Sequence, residues 1–213
     1  MTKKKYNSEL TFEESQHYLN EFDTKIRNTR YVLCVDFEAT CDSDKTKIPR
    51  HESEIIEFGA VMIDTTTGEH VFEFSHFIKP VIHPTLTPFC TELTTITQEQ
   101  VDTGVSFEQA VELLDIEIAC ALGDQEFVWV SWGQYDYNQF HSEVKRNDLD
   151  CMNLLGEAYH LNLKAAAAAF GKCNQKGLDR AVKDRGLTWY GTHHRGIDDA
   201  INVGNVLLNI LGK

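Results

Sequence analysis

No stretch of this 213-residue chain approaches the roughly 18 consecutive apolar residues that a membrane-spanning helix needs, so a helical membrane protein is excluded. Met1 to Tyr6 lead into polar sequence rather than an apolar core, which predicts a chain without an export signal. Low-complexity tracts are missing too, and 42% apolar residues are enough for one packed domain. Basic charge is scarce: 20 Lys and Arg stand against 33 Asp and Glu, a net charge of −13. That balance argues against broad, nonspecific binding to a polyanion, which basic surface drives. The six cysteines (Cys34, Cys41, Cys90, Cys120, Cys151 and Cys173) include no C-x-x-C, and several lie in apolar runs where a thiol packs as a small hydrophobe. Reduced thiols in a cytoplasmic protein are the expectation. Gly171-Lys172 does not follow the P-loop pattern, and no zinc finger or basic extension is visible. Lys3 to Lys5 read as a solvated tail.

What the chain does have is a carboxylate pair in an apolar setting. Asp36 and Glu38 sit inside Tyr31-Val-Leu-Cys-Val-Asp-Phe-Glu-Ala-Thr40. Side chains two apart on a strand share a face, so both carboxylates leave the strand in the same direction. Burying unpaired carboxylates costs several kcal/mol each, which points to a divalent cation or a reaction that needs them. Bound cations invert the local field, so an acidic chain can still attract phosphate to that one place.

The remaining pattern surrounds the pair with a sheet and helices. Thr11-x-x-Glu14 opens a helix by a capping box, and Phe12, Tyr18, Leu19, Phe22 and Ile26 continue it at helical spacing. Strands are predicted over 31–36, 55–64 and 71–79 as an antiparallel meander, with a fourth over 126–132. Ser106-x-x-Gln109 caps a helix through Leu122, and from residue 135 the chain is mostly helical, with an alanine-rich helix over 164–170 and a closing helix over 197–211. Strands early and helices late define an α/β sheet flanked by helices. Residues 1–29 read as an N-terminal helical extension and 30–213 as the main domain.

Two further acidic positions complete a set. Asp136 follows the strand that ends at Ser131-Trp132, the end at which open α/β sheets place their ligands. Asp199 lies five residues after His194, so the imidazole can ride a loop while the carboxylate is fixed on a helix. His193 competes for the same role, five residues before Asp198, and continuity into Asp199-Ala200 favours His194. Asp36, Glu38, Asp136 and Asp199 supply hard oxygen ligands suited to magnesium or manganese, whereas zinc favours cysteine or several histidines.

In order and spacing this set is similar to the motifs of the DEDD exonuclease superfamily, histidine subclass. Asp36-Phe-Glu-Ala-Thr-Cys41, Glu54-Ile-Ile-Glu-Phe-Gly-Ala60, the segment from Phe89 to Asp102 and His194-Arg-Gly-Ile-Asp-Asp199 resemble the Eri-type 3′–5′ exoribonucleases and KapD-like proteins. The tyrosine subclass needs Tyr four residues before the last Asp, where this chain has Arg195. The resemblance implies an RNase H-like fold with a mixed five-stranded sheet, two Mg2+ or Mn2+ ions, His194 as general base, and stepwise release of nucleotides from the 3′ end of RNA. Single-stranded DNA is a further candidate substrate, and no membrane partner is expected. It also implies terminal-nucleotide contacts at Phe37, Ala39, Thr40, Leu93 and Thr94. Trp132 and Tyr135 can stack a base or pack in the core; Phe127 and Trp129 read as core. Lys164, Lys172, Lys176 and Arg180 are candidates for a phosphate path. The competing reading is a regulatory module that keeps the fold and binds a nucleic-acid end or a protein without turnover; the intact catalytic positions argue against it.

Overall fold

The computed structural model describes residues 10–149 and 154–213. The Lys3–Lys5 tail and Cys151 therefore lie outside the described residues. Five strands form one sheet in the order β3-β2-β1-β4-β5: β1 (Tyr31–Ala39), β2 (Ile55–Asp64), β3 (Glu69–Phe77), β4 (Phe127–Ser131) and β5 (Tyr159–Asn162). β1, β2 and β3 pair antiparallel, while β4 lies parallel to β1 and β5 parallel to β4. The expected meander is present, and so is the mixed five-stranded sheet. The fifth strand falls in a region the periodicity assigned to helix.

The helices begin with α1 (Phe12–Glu21), which the expected capping box opens: Glu14 N–H donates to Thr11 Oγ1 and Thr11 N–H to the Glu14 carboxylate. A π-helical turn over Phe22–Ile26 continues it and buries both Phe22 and Ile26 completely. Next come α2 (Pro88–Thr94), α3 (Gln98–Asp102) and α4 (Phe107–Leu122), the last capped by Ser106 as its sequence predicted. α5 (Tyr135–Arg146), α6 (Leu154–Glu157), α7 (Leu163–Gly171), α8 (Leu178–Asp184) and α9 (Gly196–Leu211) complete the chain. Among the described residues no helix is long and apolar enough to cross a membrane.

Strand alternation sorts β1 onto two cores. Leu33, Val35 and Phe37 face a cluster built with α4 and α5, including Leu114, Ile118 and Phe140. Val32 and Cys34 face a second cluster built with α7 and α9, including Ala166, Val203 and Leu207. Asp36 and Glu38 continue this second row, so the period of two aims both carboxylates toward the start of α9. On β2 the same alternation puts Val61 and Ile63 on the α9 side, and with them Gly59 and Glu57. The N-terminal helix packs on α7, with Phe22 edge-on to Phe170 at 4.9 Å between centroids.

Gly59 and Gly196 set how close α9 comes. A Cβ on Gly59 would stand 2.0 Å from the carbonyl carbon of Gly196, and one on Gly196 would stand 3.0 Å from the carbonyl oxygen of Asp36. Only hydrogen fits at Gly59, and the approach at Gly196 is tight, so the first turn of α9 lies directly on the sheet at the level of the carboxylates.

Candidate active site

Four carboxylates meet where the C-terminal ends of β1 and β4 face the N-termini of α5 and α9. Asp36 and Glu38 come from β1, Asp136 from the first turn of α5 and Asp199 from the first turn of α9. This is the edge at which open α/β sheets bind ligands, and two helix N-termini add positive field there. Glu38, Asp136 and Asp199 are each less than a tenth exposed. Asp136 is held by the backbone, its Oδ1 accepting from Phe37 N–H at 3.1 Å. Asp199 accepts from the His194 backbone N–H.

Crowding of like charge in a dry place shows in the titration. Burial, followed by Asp136, Glu38, Asp199 and Glu57, raises the Asp36 carboxyl well above its ordinary range. Burial and then Asp199 push Glu38 up to about 9. Burial lifts Asp199 to about 7 and Asp136 to about 6, the latter restrained by hydrogen bonds from Phe37 and Ser131. Such shifts say that the ionised cluster lacks a compensating cation within the protein. Asp199 Oδ1 is buried without any hydrogen-bond partner. Oxygen donors of Glu38 and Asp199 and a ring nitrogen of His194 all lie within 4.8 Å of one another, close enough to share a metal ion. The donor set and the orphaned oxygen fit a hard divalent cation.

His194 stands at the mouth. Its φ is +60°, a left-handed conformation that ends the loop and turns the backbone into α9. Its Nδ1 lies 4.0 Å from Glu38 Oε1, and just over half of the side chain is exposed. Partial burial and the neighbouring His193 lower its pKa, so the ring is neutral near pH 7. His193 points elsewhere, its ring stacked on Trp189 at 3.8 Å. Asp198 ties the loop down by accepting from Thr192 N–H at 2.8 Å, and the Asn202 side chain bonds both the N–H and the C=O of Tyr190.

Of the expected substrate contacts, several side chains are committed to packing. Phe37 lies in the core, edge-on to Phe58 at 4.5 Å, and Ala39 is 8% exposed. Thr40 Oγ1 accepts from Glu54 N–H, and the Thr94 hydroxyl donates to Cys90 C=O while accepting from Ile96 N–H. Trp132 Nε1 donates to Lys176 C=O, with its ring against the α7–α9 core. Leu93 keeps side-chain surface open to a ligand, while Tyr135 is half-buried with Arg50 over its ring. The phosphate path thins out similarly, because Lys176 and Arg180 both bind Asp184. Glu57 and Arg195, which the sequence reading left without a role, form a buried ion pair under the site. Their signal was a carboxylate, Glu57, inside the apolar run of a ten-residue strand, a charge that needs a partner.

The fold, with four carboxylates converging at the C-terminal edge of its sheet, is that of an exonuclease family. Residues 33–207 match the family model RNase T, described as exonuclease, and the chain belongs to that family. Among curated relatives, ERI1 exoribonuclease 2 of Mus musculus is 36% identical over 81% of this chain, and ERI1 exoribonuclease 3 of the same organism is 35% identical over 83%. The chain spans 27% and 52% of the lengths of those two relatives. Among solved structures, the nuclease domain of 3′hExo, a DEDDh family member bound to rAMP, superposes with a TM-score of 0.78 at 26% identity, covering 87% of this chain and 93% of that one. A 3′-exonuclease in 3′-end specific recognition of histone mRNA stem-loop gives 0.77 at 26% identity, covering 86% and 64%.

Proposed function

We propose that this chain is a metal-dependent 3′–5′ exonuclease that removes nucleotides from the 3′ end of RNA. The observation that carries the reading is the convergence of Asp36, Glu38, Asp136 and Asp199 with their raised pKa values and the unpartnered Asp199 Oδ1. These four carboxylates would hold two divalent ions, Mg2+ or Mn2+. When bound, the ions supply positive charge that offsets the carboxylates and stabilises charge developing on the phosphodiester oxygens. The chain's own part is proton transfer and positioning. His194, neutral at pH 7 and exposed at the mouth, accepts the proton of the attacking water, a contribution of roughly 10²- to 10⁴-fold. Asp136 is fixed by Phe37 N–H, and Asp199 by the first turn of α9, so the donors are set before substrate arrives.

Substrate preference for RNA rests on the likeness to exoribonucleases; single-stranded DNA is the second candidate. Leu93, with its exposed surface, and the open part of half-buried Tyr135 would meet the terminal nucleotide. The division of the chain into an N-terminal extension over 1–29 and a nuclease unit over 30–213 is part of the same reading, supported for the described residues by the packing of Phe22 on Phe170. The cytoplasm suits the free thiols of Cys34, Cys41, Cys90, Cys120 and Cys173.

The deciding experiment follows a 5′-labelled RNA oligonucleotide in magnesium, manganese or EDTA, with wild type and Asp36→Asn. Stepwise shortening from the 3′ end that needs metal and disappears in the variant is expected. Tight binding without shortening would replace the enzyme with the binding module.

A further inference from the structure

One basic side chain beside the site is held in place without an acid to neutralise it. The Arg50 guanidinium lies over the ring of Tyr135, 5.3 Å from its centroid, and Tyr135 immediately precedes Asp136. Arg50 is exposed, and among the described residues no carboxylate pairs with it. Its neighbours in the same loop are engaged with one another: Asp42 faces Lys47 at 3.8 Å, Asp44 accepts from Thr46, and Glu52 binds His83 and His51. None of these acids forms an ion pair with the arginine.

The segment just after Arg50 is fastened to the nuclease framework. Arg146 donates to the carbonyls of His51 and Ser53, Gln139 Nε2 donates to Ser53 C=O at 2.8 Å, and Ser53 Oγ donates to Thr40 C=O at 2.7 Å. The Tyr135 hydroxyl also bonds Ser53. Backbone and ring thus preorganise a guanidinium that would otherwise lose much rotamer freedom on binding. It overlooks a groove of about 280 Å³ lined by His51, Tyr135, Asn138, Gln139 and Ser142, which runs along α5 away from the carboxylates. In a chain of net charge −13, an ordered, unneutralised guanidinium at that place is suited to a phosphate.

We propose that Arg50, held over Tyr135 beside Asp136, binds a backbone phosphate of the substrate strand on the 5′ side of the terminal nucleotide and threads that strand along the α5 groove. The inference rests on the exonuclease reading and adds a specificity for chains over mononucleotides. The planar fork of arginine supports both the ring stack and a bidentate phosphate contact, which lysine cannot reproduce together.

The test measures binding rather than turnover, so that it stands apart from catalysis. A fluorescent single-stranded RNA with a phosphorothioate 3′ linkage is titrated in calcium against wild type, Arg50→Ala, Arg50→Lys and Lys183→Ala at several salt concentrations. Lys183 is an exposed lysine on α8 and controls for the change in net charge. Arg50→Ala should weaken binding about tenfold and flatten the log–log salt slope by roughly 0.7, the share of one single-strand phosphate contact. Arg50→Lys should recover only part of the affinity, and Lys183→Ala should stay within twofold of wild type. Equal affinity of Arg50→Ala and wild type, or an unchanged slope, overturns the inference while leaving metal-dependent shortening of RNA by the wild type untouched. Failure of that shortening would instead remove the exonuclease reading.

Discussion

The Arg195 guanidinium meets the fully buried carboxylate of Glu57 side-on, Nε to Oε2 at 3.0 Å and Nη2 to Oε1 at 3.2 Å. Gly196 N–H donates to the same Oε2 at 3.0 Å. Three donors on one carboxylate pin the loop-to-helix junction that carries His194 on one side and Asp199 on the other. Removing one member of a buried pair leaves the other uncompensated, at a cost of about 3–5 kcal/mol. Glu57→Ala and Arg195→Ala should each lose that order of stability in urea denaturation, and divalent metal should raise their melting temperature less than it raises that of wild type. A change below about 1 kcal/mol would deny the pair its role.

The contact between Gly59 and Gly196 predicts a separate failure. Gly59→Ala places a methyl group 2.0 Å from the Gly196 carbonyl carbon, where neither strand nor helix can yield without moving the carboxylates. The expected outcome is a loss of at least about 3 kcal/mol, above the ordinary range for a single methylene in a core. A crystal structure of a folded variant with α9 in its original place would refute it.

Stability should fall with rising pH in the absence of metal. Carboxylates titrate near 4 in the unfolded chain, whereas Asp136, Asp199 and Glu38 titrate at about 6, 7 and 9 in the folded one. Below about pH 4 both states are protonated and nothing is lost. Above it the folded state holds more protons, so stability declines as pH climbs through the folded values. In EDTA the melting temperature should drop between about pH 5 and 9, and magnesium or manganese should restore more of it at pH 8 than at pH 5. Asp36→Asn removes a carboxyl whose ionisation the folded state opposes and should raise the EDTA melting temperature at pH 8 by several degrees, about 2–4 °C for each kcal/mol in a chain of this size. A flat pH profile without metal would contradict the assignment of strain to this cluster.

How much of this was legible in the sequence follows from which signals are local. β2 was expected over 55–64 and lies there, because an apolar run bounded by a turn is a local pattern. The capping boxes at Thr11 and Ser106 placed two helix starts correctly for the same reason. β5 was not readable: Tyr159–Asn162 is four residues long, and only pairing with β4 makes it a strand. β3 was expected over 71–79 and lies at 69–77, because its pairing with β2 runs from Glu69 opposite Asp64 to Phe77 opposite Glu57, a register that the strand's own spacing does not contain. At the site, the alternation of β1 was enough to bring Asp36 and Glu38 to one face; Asp136 was added from its place just past the end of a strand and Asp199 from its spacing to His194, and the order of all four then matched the family motifs. The Glu57–Arg195 pair joins residues 138 apart and depends on how α9 crosses the sheet.

His194 offers the sharpest separation between holding a metal and moving a proton. Its ring nitrogen lies close enough to donors of Glu38 and Asp199 to join them around an ion, yet its exposure and its seat on a loop suit a group that exchanges protons with water. The two roles predict different behaviour for His194→Ala. A proton acceptor leaves four carboxylates for the metal, so the metal-induced rise in melting temperature should persist while turnover falls roughly 10²- to 10⁴-fold. A ligand takes part of the metal affinity with it, and that rise would shrink together with turnover. His193→Ala, which removes the stack on Trp189 at 3.8 Å, should change neither beyond a few-fold. The neutral imidazole near pH 7 and the completeness of the oxygen donor set favour the first outcome, and magnesium titrations followed by melting of both variants decide it.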